Sequence, residues 1–184
     1  MEVGGRAFKN CYNLEGQLHI HNIGTYQLSK TSNYGGEVFH NCRKLVKITI
    51  GDTDPNDGNR GPTALQLTGS IYGDRTKAFF YGLDSLKILE MGHSLTSWGG
   101  CMFTNSNGYG CNSLKALIFH STTPPSINMS DYGTTATWGN SNVIIYVPTS
   151  AYATYQATSG FDTLYSAGRL KTLDEYDEDA ILAS

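Results

Sequence analysis

One short unit recurs along this 184-residue chain, and it limits the possible folds more than any other feature. Cys11-x-x-Leu14 returns as Cys42-x-x-Leu45, Leu83-x-x-Leu86 and Cys111-x-x-Leu114. Phe8, Phe39 and Phe80 each stand three residues before their anchor; Phe103 is displaced by an insertion ending in Tyr109-Gly110. A brief alternation follows each leucine: Leu18-x-Ile20 (after one extra residue), Ile48-x-Ile50, Leu89-x-Met91 and Leu117-x-Phe119. Alternation over so few residues marks a short strand with one face turned inward. A weaker echo is an apolar residue before glycine, Ile23-Gly24 and Trp98-Gly99.

One such unit cannot offset the entropy of ordering its own residues. Stacked copies can, because each covers the apolar flank of the next. Equivalent positions then line up in columns. The expected inner column is Leu14, Leu45, Leu86 and Leu114, with a second of Ile20, Ile50, Met91 and Phe119. The strands should pair in parallel, since each returns to the same place after one coil. Composition agrees with short strands and turns: Gly, Ser, Thr and Asn make up more than a third of the chain, and charged residues only 16%.

Three cysteines occupy one slot of the unit, and Leu83 fills it once. A slot that accepts either residue is an apolar packing slot, in which a thiol acts as a small hydrophobe. This reading is favoured over a disulfide framework; Cys101 alone is off register. The net charge of −3 is uneven, because Asp174, Glu175, Asp177, Glu178 and Asp179 cluster at the end. A near-neutral body gives no basis for phosphate-driven nucleic-acid binding. The acidic tail over 174–184 reads most simply as a solvated, partly frayed terminus. No apolar run approaches the roughly 20 residues that cross a bilayer, and the start lacks the pattern of a signal peptide.

The repeats resemble the BspA-type leucine-rich repeats of bacterial surface proteins. The family pattern Ala-Phe-x-x-Cys-x-x-Leu-x-x-Ile-x-Ile is matched from Ala7 to Leu14 and from Val38 to Ile50. The end is similar to the family's closing segment: Thr123-Pro124-Pro125-Ser126-Ile127, then Val143 to Pro148, Tyr152, Tyr155-Gln156-Ala157 and Gly160-Phe161. The resemblance implies a single leucine-rich-repeat solenoid over 1–173, mostly short parallel β-strands and loops, of about five coils. Repeats fall near 7–23, 38–50, 79–99 and 103–119, with a capping strand and helix over 143–161. Insertions at 24–37, 51–77 and 92–110 interrupt it. Pro148 should end the last strand. Thr149 or Ser150 should then N-cap one short helix, Ala151 to Thr158, with Gly160 as its stop. The chain starts almost inside a repeat, so it is expected to be the C-terminal piece of a longer protein, or to be capped unusually by residues 1–7.

The same resemblance implies a non-catalytic binding or adhesion module, displayed on the cell surface or secreted, with a protein or glycan ligand. No cofactor, metal, nucleic acid or membrane insertion enters this reading, and the chain is expected to be a monomer. The competing expectation is a structural spacer or assembly module of a larger surface or virion protein. Tyr34, Tyr72, Trp98, Tyr109, Tyr132 and Trp138 fall in or beside the insertions, and amphipathic rings on such loops suit protein or sugar surfaces. The same rings also suit a second role, folding back to plug the gaps that irregular repeats leave.

Three chemical patterns are weaker. His19 and His21 share a strand face at a spacing that serves a metal, but two further ligands are missing nearby. Asp52, Asp54 and Asn56 open like a calcium loop, yet glycine falls one position late and Thr63 stands where the closing glutamate belongs. No nucleophile motif, zinc-protease motif or phosphate loop occurs, which argues against an enzyme.

Overall fold

A computed structural model describes residues 7–20, 26–28, 38–53, 65–68, 80–100, 102–103, 111–128 and 137–184. They form a parallel β-solenoid of about three turns. The strands are β1 (Glu15–Ile20), β2 (Tyr26–Leu28), β3 (Lys44–Ile50), β4 (Leu65–Thr68), β5 (Ile88–Met91), β6 (Leu95–Gly99), β7 (Ala116–Phe119), β8 (Ser126–Asn128), β9 (Ile144–Val147) and β10 (Leu170–Thr172). Odd-numbered strands and β10 make the larger sheet, in the order β1-β3-β5-β7-β9-β10; even-numbered strands β2-β4-β6-β8 make the smaller one. Every pairing is parallel.

The columns follow the register. Ile20 lies beside Ile50, Ile50 beside Met91, and Met91 beside Phe119. One step earlier, Leu18, Ile48, Leu89, Leu117, Ile145 and Leu170 run across the whole sheet. Leu45, Leu86 and Leu114 are fully buried, and Leu14 at the first repeat packs against them half-buried. The extra residue of the first repeat is absorbed at a register shift between Gly16 and Gln17.

The repeated motif builds one turn each time. Leu14, Leu45, Leu86 and Leu114 donate their backbone N–H to the carbonyls of Cys11, Cys42, Leu83 and Cys111. The residue before the slot takes a left-handed backbone: Asn10 (φ 62°), Asn41 (φ 63°) and Gly82 (φ 70°). Asparagine and glycine are the residues that adopt this conformation at low cost. Asn41 Nδ2 also donates to Asn10 Oδ1 at 3.0 Å, tying adjacent coils together.

The slot prefers cysteine for a reason that lies in the neighbouring coil. Cys42 Sγ donates to the carbonyl of Phe8 at 2.9 Å, and Cys111 Sγ to that of Phe80 at 2.8 Å. The thiol thus fills the apolar slot and satisfies a backbone oxygen of the preceding repeat. Cys11, Cys42 and Cys111 are free thiols. Burial pushes the Cys42 thiol up to about 11 and raises Cys111 further still. Alkylation of the native protein at neutral pH is therefore expected to leave both unmodified, as read by mass. Cys42→Ala should lower unfolding stability by about 1 kcal/mol, read in a denaturant melt.

Phenylalanines form a second ladder. Phe8 stacks on Phe39 (5.4 Å), Phe39 on Phe80 (5.7 Å) and Phe80 on Phe103 (5.3 Å). Phe103 therefore rejoins the repeat despite the insertion before Cys111. Trp98 and Trp138 continue the aromatic core through Phe119 to Phe161. Trp98 ends in Gly99, whose φ is +134° and whose missing Cβ leaves room for the Asn128 backbone. That close approach accounts for glycine after the aromatic residue.

The far end is closed as a solenoid end requires. β9 stops before Pro148, and a 3-10 turn at Thr149–Ala151 leads into helix α1 (Tyr152–Gln156). Ala151, Tyr155, Phe161 and Leu164 cover the core, and helix α2 (Asp162–Ser166) precedes β10. Two expectations need correction here. Neither Thr149 nor Ser150 caps α1 through its side chain; Thr149 Oγ1 donates to Asp174 Oδ2 at 2.6 Å instead. The count of five coils was too high, because β9 has no second-sheet strand after it among the described residues, and α1, α2 and β10 take its place.

A further correction concerns the acidic tail. Residues 173–184 are ordered against the outer face of the larger sheet. They form a 3-10 turn (Leu173–Glu175) and helix α3 (Glu178–Ala183). Leu173, Tyr176, Ile181 and Leu182 pack on Ile88, Ala116, Ile118 and Tyr146, a cluster separate from the main core. Asp174 accepts from Thr149, Asp177 caps α3, and Glu175 and Glu178 pair with Lys171 and Lys47, so a charge run conceals an apolar stripe.

Candidate functional site

The described side chains with the densest polar chemistry gather on that outer face, at the edge of the tail. Strand alternation dictates their placement: residues between the core positions of β3 and β5 point outward. Lys47 and Thr49 come from β3, Glu90 from β5, and His120 from just beyond β7. Thr49 and Glu90 are direct cross-strand partners. Tyr176 and Glu178 arrive from the tail.

Glu90 is the hub. His120 Nε2 donates to its Oε1 (2.7 Å), and Thr49 Oγ1 donates to its Oε2 (3.0 Å). Lys47 Nζ lies 3.0 Å from the same Oε2 and 2.7 Å from Glu178 Oε2. Tyr176 completes the group by donating its hydroxyl to Glu178 Oε2 at 3.3 Å. The Glu90 and Lys47 side chains are only 12% and 11% exposed, so these charges interact with little solvent screening.

Burial alone would raise Glu90, but hydrogen bonds from His120 and Lys47 and their charges hold it down at about 2. Burial would likewise lower Lys47, and the bonds to Glu178 and Glu90 outweigh it and raise the ammonium. Tyr176 is raised by burial and by the adjacent carboxylates. Glu90 carries the pH consequence. Its folded value lies below the ordinary 4.5, so its stabilisation is complete above that pH and is lost as pH falls toward about 2. A wild-type acid melt should therefore show a loss of up to about 3 kcal/mol across that window that Glu90→Gln does not share.

This arrangement is a saturated network of hydrogen bonds and ion pairs, a lock between sheet and tail. Both Glu90 oxygens are engaged, and a carboxylate held at about 2 is a weak base for the Thr49 hydroxyl that donates to it. Among the described residues no group of three His, Cys, Asp or Glu side chains is placed to hold a metal, and no helix is long and apolar enough to cross a membrane.

The aromatic residues divide. Trp98 and Trp138 are completely buried, and Trp98 Nε1 donates to the Thr137 carbonyl at 3.1 Å. Both rings pack into the aromatic core with Phe119 and Phe161, the gap-filling role of the two that the sequence offers for them. Tyr34, Tyr72, Tyr109 and Tyr132 lie outside the described residues, as do His21, Cys101 and positions 54–59 of the calcium-like loop. His19 Nε2 donates to the Gly51 carbonyl at 3.0 Å. Asp52 is buried, and its carbonyl accepts the His93 N–H.

Reading the sequence alone misses the lock, since its members are far apart and are joined only by coil stacking. A signal was present in Ala116-Leu117-Ile118-Phe119 and Val143 to Val147, where alternation gives way to unbroken apolar runs. Such runs mark strands covered on both faces. Compared with known proteins, the chain matches no protein-family model and no curated protein.

Proposed function

We propose that this chain is a non-catalytic binding module whose ligand is a protein segment taken up on the outer sheet face. The observation that carries this reading is the change along that face. It is polar at β1 and β3, with His19, Lys47 and Thr49, mixed at β5, where Ile88 stands two residues from Glu90, and apolar at β7 and β9, with Ala116, Ile118 and Tyr146. A sheet needing only solubility would stay polar throughout, whereas this face accommodates polypeptide, here the chain's own end. The repeat pattern supports extending the reading to a BspA-type leucine-rich-repeat protein. On that basis the module is a monomer displayed on a bacterial surface or secreted, and binds without cofactor, nucleic acid or membrane.

The second reading, a spacer or assembly module, is favoured by the buried tryptophans. Among the described residues the large exposed apolar side chains are Tyr12, in the first repeat, and Tyr165, in the terminal cap, which make no aromatic platform for a glycan. Incubating the purified chain on protein and glycan arrays separates the two. Saturable capture by protein spots is the expected result. Intact folded protein retained on neither array would replace the binding reading with the spacer.

A further inference from the structure

We infer that the outer face of the larger sheet is a docking groove for short acidic, amphipathic segments, and that residues 173–184 are its occupant in cis. The inference rests on the binding-module reading and specifies its ligand. The pattern is aromatic-x-acid-x-x-aliphatic-aliphatic, written here by Tyr176, Glu178, Ile181 and Leu182.

Three observations carry it. The tail's apolar contacts form a cluster of their own, so its departure removes nothing from the core between the sheets. The charges also remain balanced when it leaves. Lys47 keeps Glu90 at 3.0 Å, and Glu90 keeps His120 and Thr49, so no buried charge is stranded. Finally, the groove is complementary to an acidic ligand. Lys47 Nζ receives the Glu178 carboxylate at 2.7 Å, and Lys87 Nζ donates to the carbonyls of Leu182 (2.6 Å) and Ser184 (3.1 Å) at the helix end. Beside these lysines, Ile88 on β5 and Ala116 and Ile118 on the next strand β7 form one apolar cluster with Ile181 and Leu182.

The tail is held by half-buried side chains and a helix of six residues. Such a helix is marginal without its packing surface, so opening leaves a filled core and an empty groove. A competitor with the same pattern then occupies it. The cis segment lowers apparent affinity in proportion to the time it stays docked.

The test uses the full chain carrying Ile181→Asp with Leu182→Asp, which undocks the tail and leaves the sheet intact. A fluorescent peptide with the sequence of residues 173–184 is titrated against this variant and the wild type by anisotropy. At least ~10-fold tighter binding to the variant is expected, since the wild-type groove is filled most of the time. Adding Lys47→Met to the variant should weaken that binding, and a peptide with aspartate at both aliphatic positions should not bind. Equal binding to both proteins, or binding to neither, overturns the groove while leaving any protein-array capture to stand for the broader reading. If the variant does not fold, hydrogen exchange on the wild type decides. Amides of 177–184 exchanging well ahead of those in β3, β5 and β7 support a separately opening tail, and equal protection overturns it.

Discussion

Phe80→Ala is expected to destabilise the chain by about 3–5 kcal/mol, enough to leave many domains of this size largely unfolded at physiological temperature. The ring is fully buried and lies between Phe39 at 5.7 Å and Phe103 at 5.3 Å, with Trp98 at 6.5 Å. Truncation removes several aromatic contacts at once and opens a cavity that flanking coils, fixed by their own hydrogen bonds, cannot close. A second consequence distinguishes stacking from ordinary core packing. Coils on both sides lose their lateral support, so the urea transition should broaden as cooperativity between repeats weakens. Equilibrium unfolding followed by tryptophan emission reads both effects. A loss under 1 kcal/mol with an unchanged slope would mean that the ring is not part of a ladder.

Leu45→Ala is the second large effect, with an expected loss of about 2–4 kcal/mol. Leu45 is fully buried directly after the Cys42 turn, and its own N–H closes that turn onto the Cys42 carbonyl. The backbone bond survives substitution, so the loss reports packing alone. Leu14→Ala provides the internal comparison. Its side chain makes the same turn but is only half-buried at the first repeat, so it should cost clearly less. Equal losses at both sites would show that burial does not grade along the column as described.

The motif made the larger sheet legible because its spacing carries both the turn and the strand. Cysteine or leucine at one slot, asparagine or glycine just before it, and two alternating apolar residues after it all answer to the same coil. Phe103 was harder to place, because an insertion separated it from Cys111, yet stacking restores it to the ladder. The smaller sheet was legible only in the echo at Trp98-Gly99. Its strands are short, and in β6 the signal is one buried tryptophan followed by a glycine that makes room for Asn128. The tail's packing is hidden in the sequence for an identifiable reason. Its five acids dominate any reading by charge, while Tyr176, Ile181 and Leu182 become a stripe only once a helix and a sheet face are in place. The unbroken apolar run of β7 held the complementary information, since a strand with two apolar faces needs two covers.

The architecture depends above all on parallel strands stacked in register across coils. Isotope-edited nuclear Overhauser spectroscopy of the backbone tests this directly. The expected result is the parallel pattern of amide-to-α-proton contacts joining Ile48, Leu89, Leu117 and Ile145 in succession, for strands about 4.8 Å apart. Antiparallel α-proton pairs between these strands, or a register displaced by one residue, would contradict it, because either arrangement turns the columns of leucine and isoleucine out of the core.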